Sequence, residues 1–246
     1  MDRMLYVAMT GAKETLRAQT VNNHNIANVS TTGFRADLAA FQSRAVDGSG
    51  YASRVYATNT TTGFDQKTGA LLSTGRDLDV AINGDGWFAV QDKDGKEAYT
   101  RAGDLQVDPA GNLVTASGQP VMGDGGPLNL PPYTSIFFAR DGSISMVAQG
   151  QTPDATATVG RLKLVNPPAE QMVRGEDGLF RLKDGSTAPA DANVQVGSGV
   201  LESSNVNAAQ ALVNMIELSR QFEMQVKAIR TAEENGAAAS QLMRLG

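Results

Sequence analysis

The chain has 246 residues, of which 41% are hydrophobic and 19% charged, with a net charge of -5 and no cysteine. That length is ample for a packed core, and the lack of Cys excludes disulfides, thiolate nucleophiles and cysteine-held metal or iron-sulfur centres. No run of Lys or Arg and no stretch of ~18 apolar residues occurs, so neither nucleic-acid binding nor membrane insertion is expected.

Residues 1–30 read as an N-terminal helix. Leu5, Met9, Ala12, Leu16, Gln19, Asn23 and Ile26 alternate at spacings of four and three, a heptad seam that starts apolar and ends polar. The stretch "MLYVAMTGA" (4–12) is the nearest thing to a secretory leader, but its pattern continues downstream at helical spacing, so it is read as helix. The helix runs into "NNHNIANVSTTGFR" (22–35), rich in short amides and holding the chain's only His. Asn23 at a seam position is expected to set register, and Asn28 to end the helix in a left-handed conformation. Thr31, Thr32 and Gly33 then make a turn, and Phe34 returns to an apolar contact.

Residues 31–70 fit no periodic pattern and read as an extended connecting segment, Thr-rich at "ATNTTTG" (57–63). Residues 71–200 carry short apolar runs: "LDVAI" (78–82), "WFAV" (87–90), "NLVT" (112–115), "SIFFA" (135–139), "RLKLV" (161–165) and "LFRL" (179–182). Asn-Gly and Asp-Gly pairs at 83–84, 94–95, 141–142, 177–178 and 184–185 separate them, which predicts a sandwich- or barrel-like β domain. Residues 201–246 form a second helical stretch, with Leu212, Met215, Ser219, Phe222, Val226 and Ile229 on one stripe. Asn207 and Gln210 suggest a cap with a capping-box partner at its start. The fold class is thus a mainly β middle domain with long N- and C-terminal α-helices that form an antiparallel coiled-coil-like pair.

Sites for chemistry are thin. His24 lies in a helix-end pattern, with no nucleophile elbow in the chain. "NGDGWF" (83–88) is followed by a strand rather than the helix a phosphate loop needs. "DKDG" (92–95) lacks the downstream Glu of a calcium loop and reads as a hairpin turn. Asp77 and Asp79 alternate along a strand and fit a solvated face. No catalytic residue, metal or cofactor is expected. A β module binding a glycan or a surface partner is the alternative, weakly supported with one Trp and 6% aromatic residues.

The motif Asn25, Ile26, Ala27, Asn28, Thr31, Gly33, Phe34, Arg35 strongly resembles the N-terminal motif of the bacterial flagellar rod and hook proteins, the axial family. "TGRDLDVAINGDGWFAV" (74–90), "YTRAGDLQVDPAGNLVTASGQPVMG" (99–123) and "GVLESSNVNAAQALVNMIELSRQFEMQVKAIRTAEE" (199–234) resemble further family stretches, in family order. The resemblance implies a structural subunit of the hollow rod that crosses the periplasm in the basal body and transmits motor torque. It also implies export by the flagellar type III apparatus, and proximal and distal rod proteins as partners. The opening and the modest length look most like a proximal-rod member. A distal-rod or other axial member is the alternative, and the hook protein usually carries a further large domain. Stripes and motif together nominate a subunit interface: Leu5, Met9, Leu16, Asn23, Asn25, Ile26, Ala27, Asn28, Thr31, Gly33, Phe34, Asn205, Val206, Leu212, Met215, Phe222, Val226 and Ile229. The terminal helices, weakly apolar on their own, are expected to order fully on assembly.

Overall fold

The computed structural model describes residues 3–45, 55–152, 155–242 and 244. The chain splits into two compact units, one made of 1–29, 36–65 and 206–246, the other of 30–35 and 66–205.

The first unit holds both long helices, α1 (Arg3–Ala27) and α2 (Ala208–Leu242). No proline interrupts either one. α1 closes in a tightened last turn: the Asn28 N–H donates to the carbonyls of His24 and Asn25, and the Val29 N–H to Ile26. Asn28 does not take the expected left-handed conformation, since no non-glycine residue among those described has positive φ. Its side-chain amide instead donates to the His24 carbonyl at 2.9 Å, a second bond to that acceptor beside its own N–H. Asn207 caps α2 as predicted, its Oδ1 accepting from the Gln210 N–H at 3.1 Å. The Gln210 side chain, however, donates to Asn214 on the same helix.

The helices pack in opposite directions. Asn22 meets Ala211, while a Cβ on Gly11 would lie 2.9 Å from the Gln225 side chain. The inward stripe of α1 is Ala8, Ala12, Thr15, Ala18 and Asn22, and the buried residues of α2 are Ala211 and Ala232. The seam read from sequence is therefore displaced. Met9, Leu16 and Asn23 face outward, and Leu5 and Ile26 are half-buried. On α2, Met215, Phe222, Val226 and Ile229 are half-buried and Leu212 is exposed. On α1 the physical reason is close approach: alanine and glycine let two helix backbones come together, so small residues line the contact while Met9 and Leu16 are left exposed.

The segment expected to be an extended connector is largely a hairpin. β1 (Asp37–Ala45) pairs antiparallel with β2 (Val55–Phe64), from Asp37 opposite Phe64 to Ala45 opposite Val55. Both strands pack on α1.

The second unit is β. Its largest sheet has five antiparallel strands in the order Leu164–Val165, Trp87–Gln91, Glu97–Thr100, Phe180–Leu182, Met172–Arg174. A three-stranded meander (Tyr133–Phe138, Ser143–Ala148, Thr156–Arg161) and several two-stranded ribbons complete it. It is not two broad sheets face to face. Short strands enclose one core that includes Ile82, Phe88, Val90, Leu105, Leu113, Ile136, Ile144 and Leu164. Each predicted Asn-Gly or Asp-Gly turn is present, its glycine at positive φ.

Candidate assembly surface

The amide-rich motif works residue by residue. The Asn25 side chain donates to the Asp37 carbonyl at 3.0 Å and accepts from the Asp37 N–H at 2.8 Å. The Asn25 amide offers an N–H donor and a carbonyl acceptor on separate atoms, as a peptide group does, so Asn25 imitates a strand partner and pins the start of β1 to the end of α1. His24 Nδ1 lies 2.8 Å from the Asp37 carboxylate, a further tie to the same residue rather than a catalytic arrangement. Asn22, buried, donates to the Ala211 carbonyl at 2.9 Å and joins α1 to the first turn of α2. The register-setting amide is thus Asn22, one residue before the Asn23 read from the sequence.

The motif's second half lies in the β unit. Gly33 sits at φ 66°, and a Cβ there would come within 2.3 Å of the Arg101 carbonyl carbon. Both the backbone conformation and the crowding demand glycine. Gly33, nominated for the interface, is therefore buried inside its own unit. The Arg174 guanidinium lies over Phe34 at 4.6 Å and over Phe180 at 4.7 Å. Arg35, 1% exposed, pairs with Glu202, also 1% exposed, at 2.5 Å, and Arg101 takes the other carboxylate oxygen at 2.9 Å. Burial lowers the Arg101 pKa, with Glu202 opposing. Asn205 joins here too, its N–H donating to the Phe34 carbonyl at 3.2 Å. Sequence reasoning did not single out Arg101, Arg174 or Glu202. Arg101 and Glu202 nonetheless stand inside the quoted family stretches.

Both helices carry exposed large apolar side chains. Met9 and Leu16, 51% and 47% exposed, sit on one line of α1 with Asn23, one heptad apart, with Tyr6 and Ala27 nearby on the outer face. Leu212, Val213, Ile216 and Met224 are turned outward on α2. So many large apolar groups left open on two helices is the mark of a surface to be covered. Met215, Phe222, Val226 and Ile229 are half-buried, and Thr31 is exposed and Val206 half-buried at the limits of the helical stretches. Among the described residues no group of His, Cys, Asp and Glu could hold a metal, and no helix is long and apolar enough to cross a membrane.

Comparison with known proteins fits this division. Three family profiles match in order: "Flagella basal body rod protein" over residues 5–35, "Flagellar hook protein FlgE/F/G D1 domain" over 81–146, and "Flagellar basal body rod FlgEFG protein C-terminal" over 198–242. The flagellar basal-body rod protein FlgF of Salmonella typhimurium is 45% identical over 251 aligned positions that span all of both chains, and FlgF of Escherichia coli matches to the same extent. FlgG of Buchnera aphidicola from Acyrthosiphon pisum is 36% identical over 97% of this chain and 98% of its own. The chain belongs to the flagellar basal-body rod protein family, and within it resembles the FlgF relatives.

Proposed function

We propose that this structural subunit of the flagellar basal-body rod joins its neighbours through the open faces of α1 and α2. The observation that carries this is the outward apolar set: Tyr6, Met9 and Leu16 on α1, with Leu212, Val213, Ile216 and Met224 on α2. These side chains are already about half covered, so each contributes roughly 1 kcal/mol once fully covered. Coverage by neighbouring helices gives a coiled-coil-like bundle, the arrangement that lets weakly packed helices become stiff enough to carry torque. The place in the rod is proximal, supported by the full-length identity to the FlgF relatives and by the opening "MDRMLYVAMTGA". Its neighbours are other proximal and distal rod proteins. The route out of the cytoplasm is the flagellar type III apparatus, across the periplasm into the growing rod.

Electron microscopy of basal bodies from a strain lacking the gene tests the reading. Rods that are missing or stop short, with no hook, are expected. A short stub assigns the proximal rod, and a long one the distal rod. Intact hook-basal bodies in swimming cells contradict a rod role.

A further inference from the structure

The chain passes between the units at four points, after residues 29, 35, 65 and 205. In the β unit the stretches that carry these passages are 30–35, the segment that begins at 66, and the segment that ends at 205. All three meet at one carboxylate. Glu202 Oε1 accepts from Arg35 Nη1 at 2.5 Å and from the Gly69 N–H at 2.9 Å, and Oε2 accepts from Arg101 Nη1 at 2.9 Å. The Glu202 main-chain carbonyl accepts from the Gly33 N–H at 2.8 Å. Around this centre the Asn205 N–H donates to Phe34, the Ser203 N–H to Ala70, and both the Arg35 guanidinium and the Asn205 amide donate to the Lys67 carbonyl. A Cβ on Gly69 would lie 1.9 Å from the Ser203 carbonyl oxygen, so the second and third stretches touch backbone to backbone.

We infer that Glu202 is a positioning residue, a junction whose single carboxylate fixes together the three stretches by which the chain leaves and re-enters the β unit. A carboxylate is required because both oxygens accept from several donors, and an amide at this position presents one donor to a guanidinium. Two buried guanidinium groups share this one anion, so its loss leaves uncompensated charge at the junction rather than in the apolar core. The stretches are thus coupled: one does not loosen while the others hold. The inference concerns the free chain and stands apart from assembly into a rod, so its failure leaves the rod reading untouched.

Peptide-resolved hydrogen exchange on the full-length chain tests it, comparing the parent with Glu202→Gln. The expected result is faster exchange by about tenfold or more at Gly33, Gly69, Ser203 and Asn205 together, with Val80 and Leu113 of the core unchanged. Faster exchange at Gly69 alone overturns the coupling. An equal rise across core and junction also overturns it, because a merely structural residue moves both. Should Glu202→Gln fail to fold, Arg35→Lys is read in the same way. It keeps the charge on a shorter side chain without the planar fork of a guanidinium, so its contacts to Glu202 and Lys67 weaken and the same amides are expected to loosen by a smaller factor. No change at those amides overturns the inference.

Discussion

Asn25 and Gly33 show how single side chains shape the chain beside α1. Replacing Asn25 by Ala leaves the Asp37 N–H and carbonyl without their partners, at a cost of about 1–3 kcal/mol. Faster amide exchange at Asp37 is the expected readout. Gly33→Ala meets both a left-handed backbone and the Arg101 main chain, so a loss of more than about 2 kcal/mol in thermal unfolding is expected. Charge acts at this scale as well. Hydrogen bonds from Arg181 are the leading cause that holds the Asp92 and Asp177 carboxyls below the usual aspartate range. Their folded values lie below the unfolded one, so this stabilisation is complete above the ordinary value near 3.8 and is lost as pH falls through the depressed values. Arg181→Met should therefore cost about 1 kcal/mol at pH 7 and little at pH 2, as measured by urea unfolding at both. Asp104 behaves oppositely. Burial raises its pKa, with Asp79 adding to the effect, so its contribution to stability improves as pH falls through the raised value. The motif's residues were legible because Asn, Gly and Arg at fixed offsets have few other uses. Glu202 was not singled out, because a lone Glu in "GVLESSN" carries no local sign that three distant segments converge on it.

At the scale of elements, both helices and most β turns could be read from periodicity and Asn-Gly or Asp-Gly pairs. The packing side of α1 could be read only in part: Ala12 of the seam is buried while Met9 and Leu16 are exposed, and on α2 the stripe is half-buried except at Leu212. A hydrophobic seam search weights Met9 and Leu16 above Ala8 and Ala18, while close helix packing favours the alanines. The β1–β2 hairpin escaped for a different reason: "DLAAFQSRA" and "VYATNTTTGF" do not alternate cleanly, and their pairing is sustained by packing on α1. An outward Met9 and Leu16 lead to a direct expectation. Met9→Lys with Leu16→Lys should change the free chain's melting by less than about 0.5 kcal/mol yet abolish swimming in soft agar. Few residues of either helix are fully buried and several large apolar ones stay exposed, so the helices should be the first parts to open. Limited proteolysis of the free chain is expected to cut within 3–27 and 208–242 before the β unit, and helices that outlast the β unit would contradict this.

On the scale of the whole molecule, the three matched family regions map onto different tasks. Residues 5–35 and 198–242 hold the helices and the junction stretches, and 81–146 holds much of the β core. The proposed assembly requires helices whose outer faces are completed by neighbouring subunits. The β unit encloses its apolar core, although Leu71, Leu72, Phe137 and Val173 stay exposed on it, and α1 and α2 leave Tyr6, Met9, Leu16, Leu212, Val213, Ile216 and Met224 open. The chain's lack of cysteine allows the most direct test of that claim. Single-cysteine chains, Met9→Cys, Leu16→Cys and Ile216→Cys, can be probed with a thiol reagent as free protein and again in purified basal bodies from swimming cells. The account predicts rapid labelling of all three in the free chain and strong protection in the basal body. Thiols at all three positions that stay as reactive in the assembled basal body as in solution would contradict the outward helix faces as the surface through which subunits join.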